Sequence, residues 1–317
     1  MPAISVVIPV KNEAKKIRAC IEGILSQTVP VSEIIVLDSG STDDTLEILS
    51  EYDKVKVIDI PPSEFNHGAT RNVGVHAATG EYIALTVGDA WAYNNEWIAE
   101  LLKGFVAERV VAVCGQQVVA HDPKNNPVEW FRPYSTPQIT TCSYSKEKFA
   151  QLSPEEKRRA CSWDDVTAMY RADIIKNMPF RVTTYAEDAQ WAKDALMAGH
   201  TLAYNPAARV YHYHLEDPDF SFKRNYTVLY HMYKFFGVVP TVPEININTH
   251  LSYIKALLKS KGISFFDKFK WWRYNVTARE GLIKAAKAVN AAIAKGEEYL
   301  DEEHKKYCGK PPIPKKD

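Results

Sequence analysis

The chain is expected to fold as an α/β protein, with an open, mainly parallel central sheet flanked by helices and a helical C-terminal extension. Three observations predict this. Short continuous apolar runs such as Ser5-Val6-Val7-Ile8-Pro9-Val10 have the pattern of buried parallel strands. Those runs alternate with segments of helical spacing through the first third of the chain. From Asp219 onward the pattern is helical and aromatic throughout.

Residues 5–10 read as the first strand. Residues 13–27 place Ile17, Cys20, Ile21, Ile24 and Leu25 at helical spacing. A strand at 33–37 leads into a helix at 41–49 that opens on an Asp-rich turn. Strand 55–60, helix 68–77, strand 82–87, helix 94–106 and strand 110–119 complete the series. Residues 121–160, punctuated by Pro123, Pro127, Pro133, Pro137 and Pro154, read as a long irregular segment, usually functional or mobile in a compact domain. A strand at 166–170, a helix at 187–198 and a strand at 208–213 follow. The expected division is a domain at 1–215, in halves of about 1–120 and 121–215. A helical region at 216–305 and a disordered tail at 306–317 follow it.

Hydrophobic residues are 46% and charged residues 25% of the 317, the balance of a soluble globular protein. Lys+Arg and Asp+Glu are equal at 39 each, so nothing global attracts nucleic acid. Cys20, Cys114, Cys142, Cys161 and Cys308 are scattered and contain no CxxC, which favours reduced thiols over a disulfide scaffold or zinc site. Met1-Pro2-Ala3 runs straight into an apolar strand, so no secretory signal is expected and the setting is read as cytoplasmic. No stretch reaches the roughly 18 apolar residues of a membrane span.

In open sheets of this kind ligands sit outside the carboxyl ends of the strands. That rule selects the residues after Val10, after Leu37 and at Gly88-Asp89. Glu13, in Pro9-Val10-Lys11-Asn12-Glu13, suits either a helix start or a ribose hydroxyl. Asp38 either belongs to a capped turn with Ser41 and Asp43 or accepts from the imide N–H of uracil or thymine. Arg71, on the first turn of a helix, suits a nucleotide phosphate, a brace on Asp38, or plain surface. Asp89 with His212 or His214 forms a candidate site for Mn²⁺ or Mg²⁺, completed by the phosphates of a nucleotide diphosphate. The two histidines alternate on a strand and so point the same way. Glu187-Asp188 opens a helix whose apolar side carries Trp191, Ala192, Ala195 and Leu196. Asp188 is either one of two helix-start acids or a general base, its ionised form favoured by the helix end.

Taken in order, Val6–Glu13, Val36–Asp43, Thr70-Arg71-Asn72, Gly88-Asp89-Ala90, Glu187-Asp188-x-x-Trp191 and Val210-Tyr211-His212 resemble the inverting, family-two nucleotide-sugar glycosyltransferases of the GT-A fold. The resemblance covers roughly residues 3–215. Phe65-Asn66-His67-Gly68-Ala69-Thr70-Arg71-Asn72 and Val210–His214 look most like bacterial rhamnosyltransferases that build surface polysaccharides. The resemblance implies that Asp38 reads the base, with Pro9, Val10, Glu13, Arg71, Gly88 and Asp89 around the nucleotide-sugar donor. It makes Asp89 and His212 metal ligands, with His214 as the alternative, and Asp188 the catalytic base. Glu187 and Trp191 fall on the acceptor side. The implied donor is dTDP-L-rhamnose, with a UDP-hexose as runner-up. The implied acceptor is a saccharide, borne on a lipid-linked glycan at the inner membrane face.

The chain departs from the family where the usual Asp-x-Asp is Val87-Gly88-Asp89, leaving one metal carboxylate. A catalytically silent nucleotide- or saccharide-binding module is the rival reading. A nucleotidyltransferase would need a Gly-rich basic phosphate loop near the start, which Pro9–Glu13 is not. In the C-terminal third, Lys268, Lys270, Trp271, Trp272, Arg273 and Tyr274 suit either a peripheral membrane interface or packing on the catalytic domain.

Overall fold

The computed structural model describes residues 1–131 and 136–308, with backbone alone at 218–220. The described chain divides into two compact units, 1–118 with 136–212 and 119–131 with 213–308. In the first, β1 (Ile4–Val10), α1 (Ile17–Leu25), β2 (Glu33–Asp38), α2 (Thr45–Leu49), β3 (Val55–Asp59), α3 (His67–Ala77) and β4 (Tyr82–Leu85) alternate as the apolar runs predicted. Next come β5 (Trp91–Ala92), α4 (Trp97–Lys103), β6 (Val110–Val118), β7 (Thr140–Cys142), α5 (Lys146–Gln151) and α6 (Pro154–Ala160). β8 (Ala168–Arg171), α7 (Ala172–Asn177), α8 (Glu187–Met197) and β9 (Thr201–Tyr211) complete the unit.

The nine-stranded sheet has the order β3-β2-β1-β4-β8-β6-β9-β5, with β7 paired to β9. The strands from β3 to β4 are parallel, as are β6 and β9; β8 runs antiparallel between β4 and β6 and joins the two parallel parts. Val6, Ile8, Ile34, Val36, Ile17, Ile21, Ile24 and Trp97 share one buried core. Their burial, by the hydrophobic effect, fixes which faces of these elements point inward. In-register pairing sets Val10 opposite Asp38, so the loops that follow start side by side.

Three expectations are corrected. Residues 121–160 are not irregular throughout. They contain β7, α5 and α6, and α6 opens on a capping box between Ser153 and Glu156 with Pro154 in its first turn; Pro133 lies outside the described residues. Residues 119–131 cluster with the second unit rather than with an acceptor half. The last strand begins at Thr201 and ends at Tyr211, so His212 and His214 lie beyond it and strand alternation does not orient them.

The second unit contains α9 (Pro218–Phe236), α10 (Ile247–Lys259), α11 (Phe265–Ile293) and α12 (Glu297–Cys308). Tyr226, Ala285, Val289, Ala292, Leu300 and Cys308 form its core. Asn126 and Asn275 exchange side-chain amide hydrogen bonds of 2.8 and 3.0 Å, which satisfies two buried amides and ties the 119–131 segment to α11. α12 continues past the expected helix end at 305, and the rest of the expected tail, 309–317, lies outside the described residues. Among the described residues no helix is long and apolar enough to cross a membrane.

Candidate active site

The loops after β1 and β2 interlock. Asn12, at φ 56°, accepts at its side-chain oxygen from Thr42 N at 2.8 Å, and its own N–H donates to Ser41 Oγ at 2.9 Å. Glu13 N donates to Thr45 Oγ1 at 2.8 Å and Ala14 N to Asp43 Oδ2 at 3.1 Å. Asp38 is buried and accepts from Gly40 N and Ser41 N, each at 3.0 Å, and from the Ser41 hydroxyl. A carboxylate offers about four lone-pair positions, so Asp38 can hold its own turn and still accept from a ligand. The two readings of Asp38 are therefore compatible.

Gly88 follows β4 at the same edge. A Cβ there would lie 2.8 Å from Val10 Cγ1 and 3.1 Å from Glu13 Cγ, so the glycine is what lets this backbone close on the β1 loop. Val10, Glu13, Asp38 and Gly88 are thus brought together, with Pro9 in β1 opposite Leu37.

Asp89, buried beside Gly88, has His212 Nε2 3.4 Å from its Oδ1 and Lys16 Nζ 3.4 Å from its Oδ2. His212 is held by its N–H to Val118 O at 3.1 Å and by Nδ1, 2.6 Å from Gln117 Oε1. Gln117 Nε2 donates in turn to Asp164 Oδ2. Because Asp164 accepts, the Gln117 carbonyl faces the imidazole, so Nδ1 donates to it and Nε2 is the ring nitrogen on the Asp89 side. Two ligand atoms each about 2.1 Å from one ion lie roughly 3–3.4 Å apart, so Asp89 Oδ1 and His212 Nε2 fit a shared divalent cation. His214 belongs to the second unit and is exposed.

The signature 66–72 makes contacts within the fold. Asn66 caps α3 by accepting from Ala69 N at 3.1 Å, and its amide donates to Thr183 O at 2.7 Å. Asn72 exchanges hydrogen bonds of 2.8 and 2.9 Å with the backbone of Phe180. A Cβ on Gly68 would lie 2.3 Å from Arg181 O. The motif therefore clamps the segment that leads into α8. Arg71, expected at a phosphate or at Asp38, is buried in an ion pair with Glu187, and its Nε lies 3.6 Å from Asp165 Oδ2. Glu187, expected on the acceptor side, is buried in that pair. Trp191 is likewise withdrawn. Its Nε1 donates to Met178 O at 2.7 Å and its ring meets Tyr170 edge-on at 4.7 Å, because the apolar side of α8 faces the core.

Asp188, the next residue after Glu187, is half-buried. Ala186, just before α8, sits at φ 55°, a left-handed conformation that costs a non-glycine residue about 1–2 kcal/mol. Asp188 accepts from Ala189 N at 2.7 Å. Desolvation, then the carboxylates of Asp165, Glu187 and Asp164, hold its pKa well above the usual carboxylate range, against the opposing charge of Arg71. The helix end was expected to favour the ionised form; burial among acids outweighs it.

Sequence reading missed four residues here. Lys16 contacts Asp89, Gln117 orients His212, and Asp164 serves both His212 and Asp188. Asp165, buried and bonded by the Tyr170 hydroxyl, is pushed up to about 7 by desolvation, with Arg71 and Tyr170 opposing. For Asp164 and Asp165 the signal was the acid pair Trp163-Asp164-Asp165 before β8.

A family model for Glycosyl transferase family 2 matches residues 5–176. The chain belongs to this family. Its family-2 relatives include the O-antigen chain rhamnosyltransferase WbaN of Salmonella anatum, 31% identical over 71% of this chain and 70% of that protein. RfbN of Salmonella typhimurium, also an O-antigen chain rhamnosyltransferase, is 28% identical over 70% of this chain and 69% of that one. The mannosyltransferase PcManGT of Pyrobaculum calidifontis, solved with GDP-Man and Mn²⁺, superposes with a TM-score of 0.53 at 17% identity, over 95% of this chain and 78% of that one. TarS 1–349 of S. aureus, solved with UDP-GlcNAc, gives 0.51 at 17%, over 93% and 92%. The fold is GT-A, and the protein is a glycosyltransferase.

Proposed function

We propose that this family-2 enzyme is an inverting rhamnosyltransferase, moving L-rhamnose from dTDP-L-rhamnose to a hydroxyl of a lipid-linked saccharide at the inner membrane face during surface-polysaccharide synthesis. The observation that carries the chemistry is Asp188, a half-buried carboxyl of raised proton affinity at the start of α8. The rhamnosyltransferase names of WbaN and RfbN support the donor. In this reading Asp188 takes the acceptor proton as the acceptor oxygen bonds to the anomeric carbon. The bond from that carbon to the diphosphate breaks in line, and the diphosphate leaves with the electron pair. Asp38 accepts from the pyrimidine imide, and Pro9, Val10, Glu13 and Gly88 line the nucleotide. Glu187 and Arg71 position Asp188 from behind rather than touching substrate.

Asp89 and His212 hold a Mn²⁺ or Mg²⁺ ion in this proposal, with His214 as a further candidate by sequence. Such an ion, when bound, offsets charge on the departing diphosphate. Lys16 adds a fixed cation beside Asp89.

The test is transfer by the purified chain from a panel of dTDP-L-rhamnose and UDP-hexoses, with anomeric configuration of the product read by NMR. Rhamnosyl transfer with inversion is expected. Transfer only from a UDP-hexose would overturn the donor, retention would overturn the mechanism, and nucleotide binding without transfer would favour the silent module.

A further inference from the structure

The second unit carries an apolar surface on α10 and the first turns of α11. Along α10, Ile247, Leu251, Ile254 and Leu258 are exposed, Ile247 by 76% and Leu258 by 72%. With 3.6 residues per turn they fall within an arc of about 60°. Leu257, on another side of the helix, is the residue that is buried. On α11, Phe265 and Phe266 are exposed by 80% and 79%, and Phe269 by 55%. Phe269 stacks on Trp272 at 5.8 Å, and Trp272 lies 5.6 Å from His250 of α10, which holds the two segments together. Single exposed apolar residues are ordinary on a protein surface. A stripe of four beside three phenylalanines is a patch that asks for a partner.

Charge says which partner. Residues 247–273 contain Lys255, Lys259, Lys261, Lys268, Lys270 and Arg273 against one acid, Asp267, in a chain with no net charge. Lys255 and Lys259 lie one position past Ile254 and Leu258, along one flank of the stripe. An apolar and aromatic stripe flanked by lysines is the pattern of a helix lying in a bilayer interface. A second copy would bring like charge against like charge.

We propose that α10 and the first turns of α11 dock in plane on an anionic lipid bilayer, with Phe265, Phe266 and the α10 stripe below the headgroups and the lysines at the lipid phosphates. The inference extends the lipid-linked acceptor in the reading above, and its test needs neither donor sugar nor acceptor.

The full chain is sedimented with vesicles of phosphatidylcholine alone and of phosphatidylcholine with phosphatidylglycerol, at low and high salt. Binding to the anionic vesicles, weakened by salt, is expected. Phe265→Ser with Phe266→Ser, and separately Lys255→Gln with Lys259→Gln, should each lower it by about tenfold or more. The thermal shift given by dTDP or UDP should stay unchanged in both variants, which shows them folded and keeps this test apart from that of the donor. No binding at low salt, or equal binding by the double Phe variant, overturns the proposal. So does wild-type self-association, read by light scattering, that the Phe variant abolishes without any vesicle binding.

Discussion

Arg71 and Glu187, 116 positions apart, form a buried ion pair one residue before the candidate base. Removing one partner of such a pair strands the other charge, at a cost of about 3–5 kcal/mol. Glu187→Ala is therefore expected to lower the melting temperature by roughly 6–20 °C. An unchanged melting curve would mean that Asp165 alone satisfies Arg71.

Asp188→Asn should behave in the opposite way. Burial already shifts Asp188 toward its neutral form, so an amide of the same shape should leave stability and nucleotide affinity near normal. Transfer should fall by roughly 10²–10⁴-fold, the worth of a positioned general base. In the wild type, activity should fall as pH drops through the raised pKa of Asp188, because the base is then protonated. Transfer abolished in Glu187→Gln and intact in Asp188→Asn would move the base to Glu187.

The Asp38 carboxylate gives a prediction on nucleotide choice. UDP and dTDP should raise the melting temperature more than ADP or GDP, since purines lack a pyrimidine imide in that arrangement. Equal shifts from all four would leave Asp38 with its turn alone.

Gln117 orients His212, and this can be read without turnover. Mn²⁺ affinity, followed by electron paramagnetic resonance in the presence of dTDP, should weaken in Asp89→Ala and His212→Ala, with the double variant losing little more than either. Gln117→Ala should weaken it by about 10–100-fold, the usual worth of a residue that fixes a ligand's ring. Affinity untouched by all of these would place the ion elsewhere, and full transfer in excess EDTA would remove it from the reaction.

Asp165 links the cluster to pH. Its pKa is raised from an ordinary 3.8 to about 7, chiefly by desolvation. The stability this contributes is fully present below the ordinary value and is lost as pH rises through about 7. Between about pH 4 and 7 the melting temperature of the wild type should therefore fall relative to that of Asp165→Asn, with the difference levelling off above about 7, and parallel curves would refute the assignment.

The sequence alone determined the alternating elements of the first unit, and it named Asp38, Gly88, Asp89, Asp188 and His212 as candidates at the ends of elements. Each of these is set by local pattern: apolar runs name the strands, and the residues just past them occupy the strand ends. The helical character of the last third was legible for the same reason. What a buried side chain faces was not, because that depends on elements far apart in the chain. Arg71 and Trp191 carry motif positions that suggest ligands, yet packing turns Arg71 onto Glu187 and Asp165 and turns Trp191 into the core. Lys16, Gln117 and Asp164 gain roles only because β4, β6, β9 and the turn before β8 meet. The sequence also left open which aromatics of the C-terminal stretch are covered. Only the tertiary structure decided that, leaving Trp271, Trp272 and Tyr274 half-buried and Phe265, Phe266 and Phe269 exposed, since helix packing can cover one side of α11 and not the other.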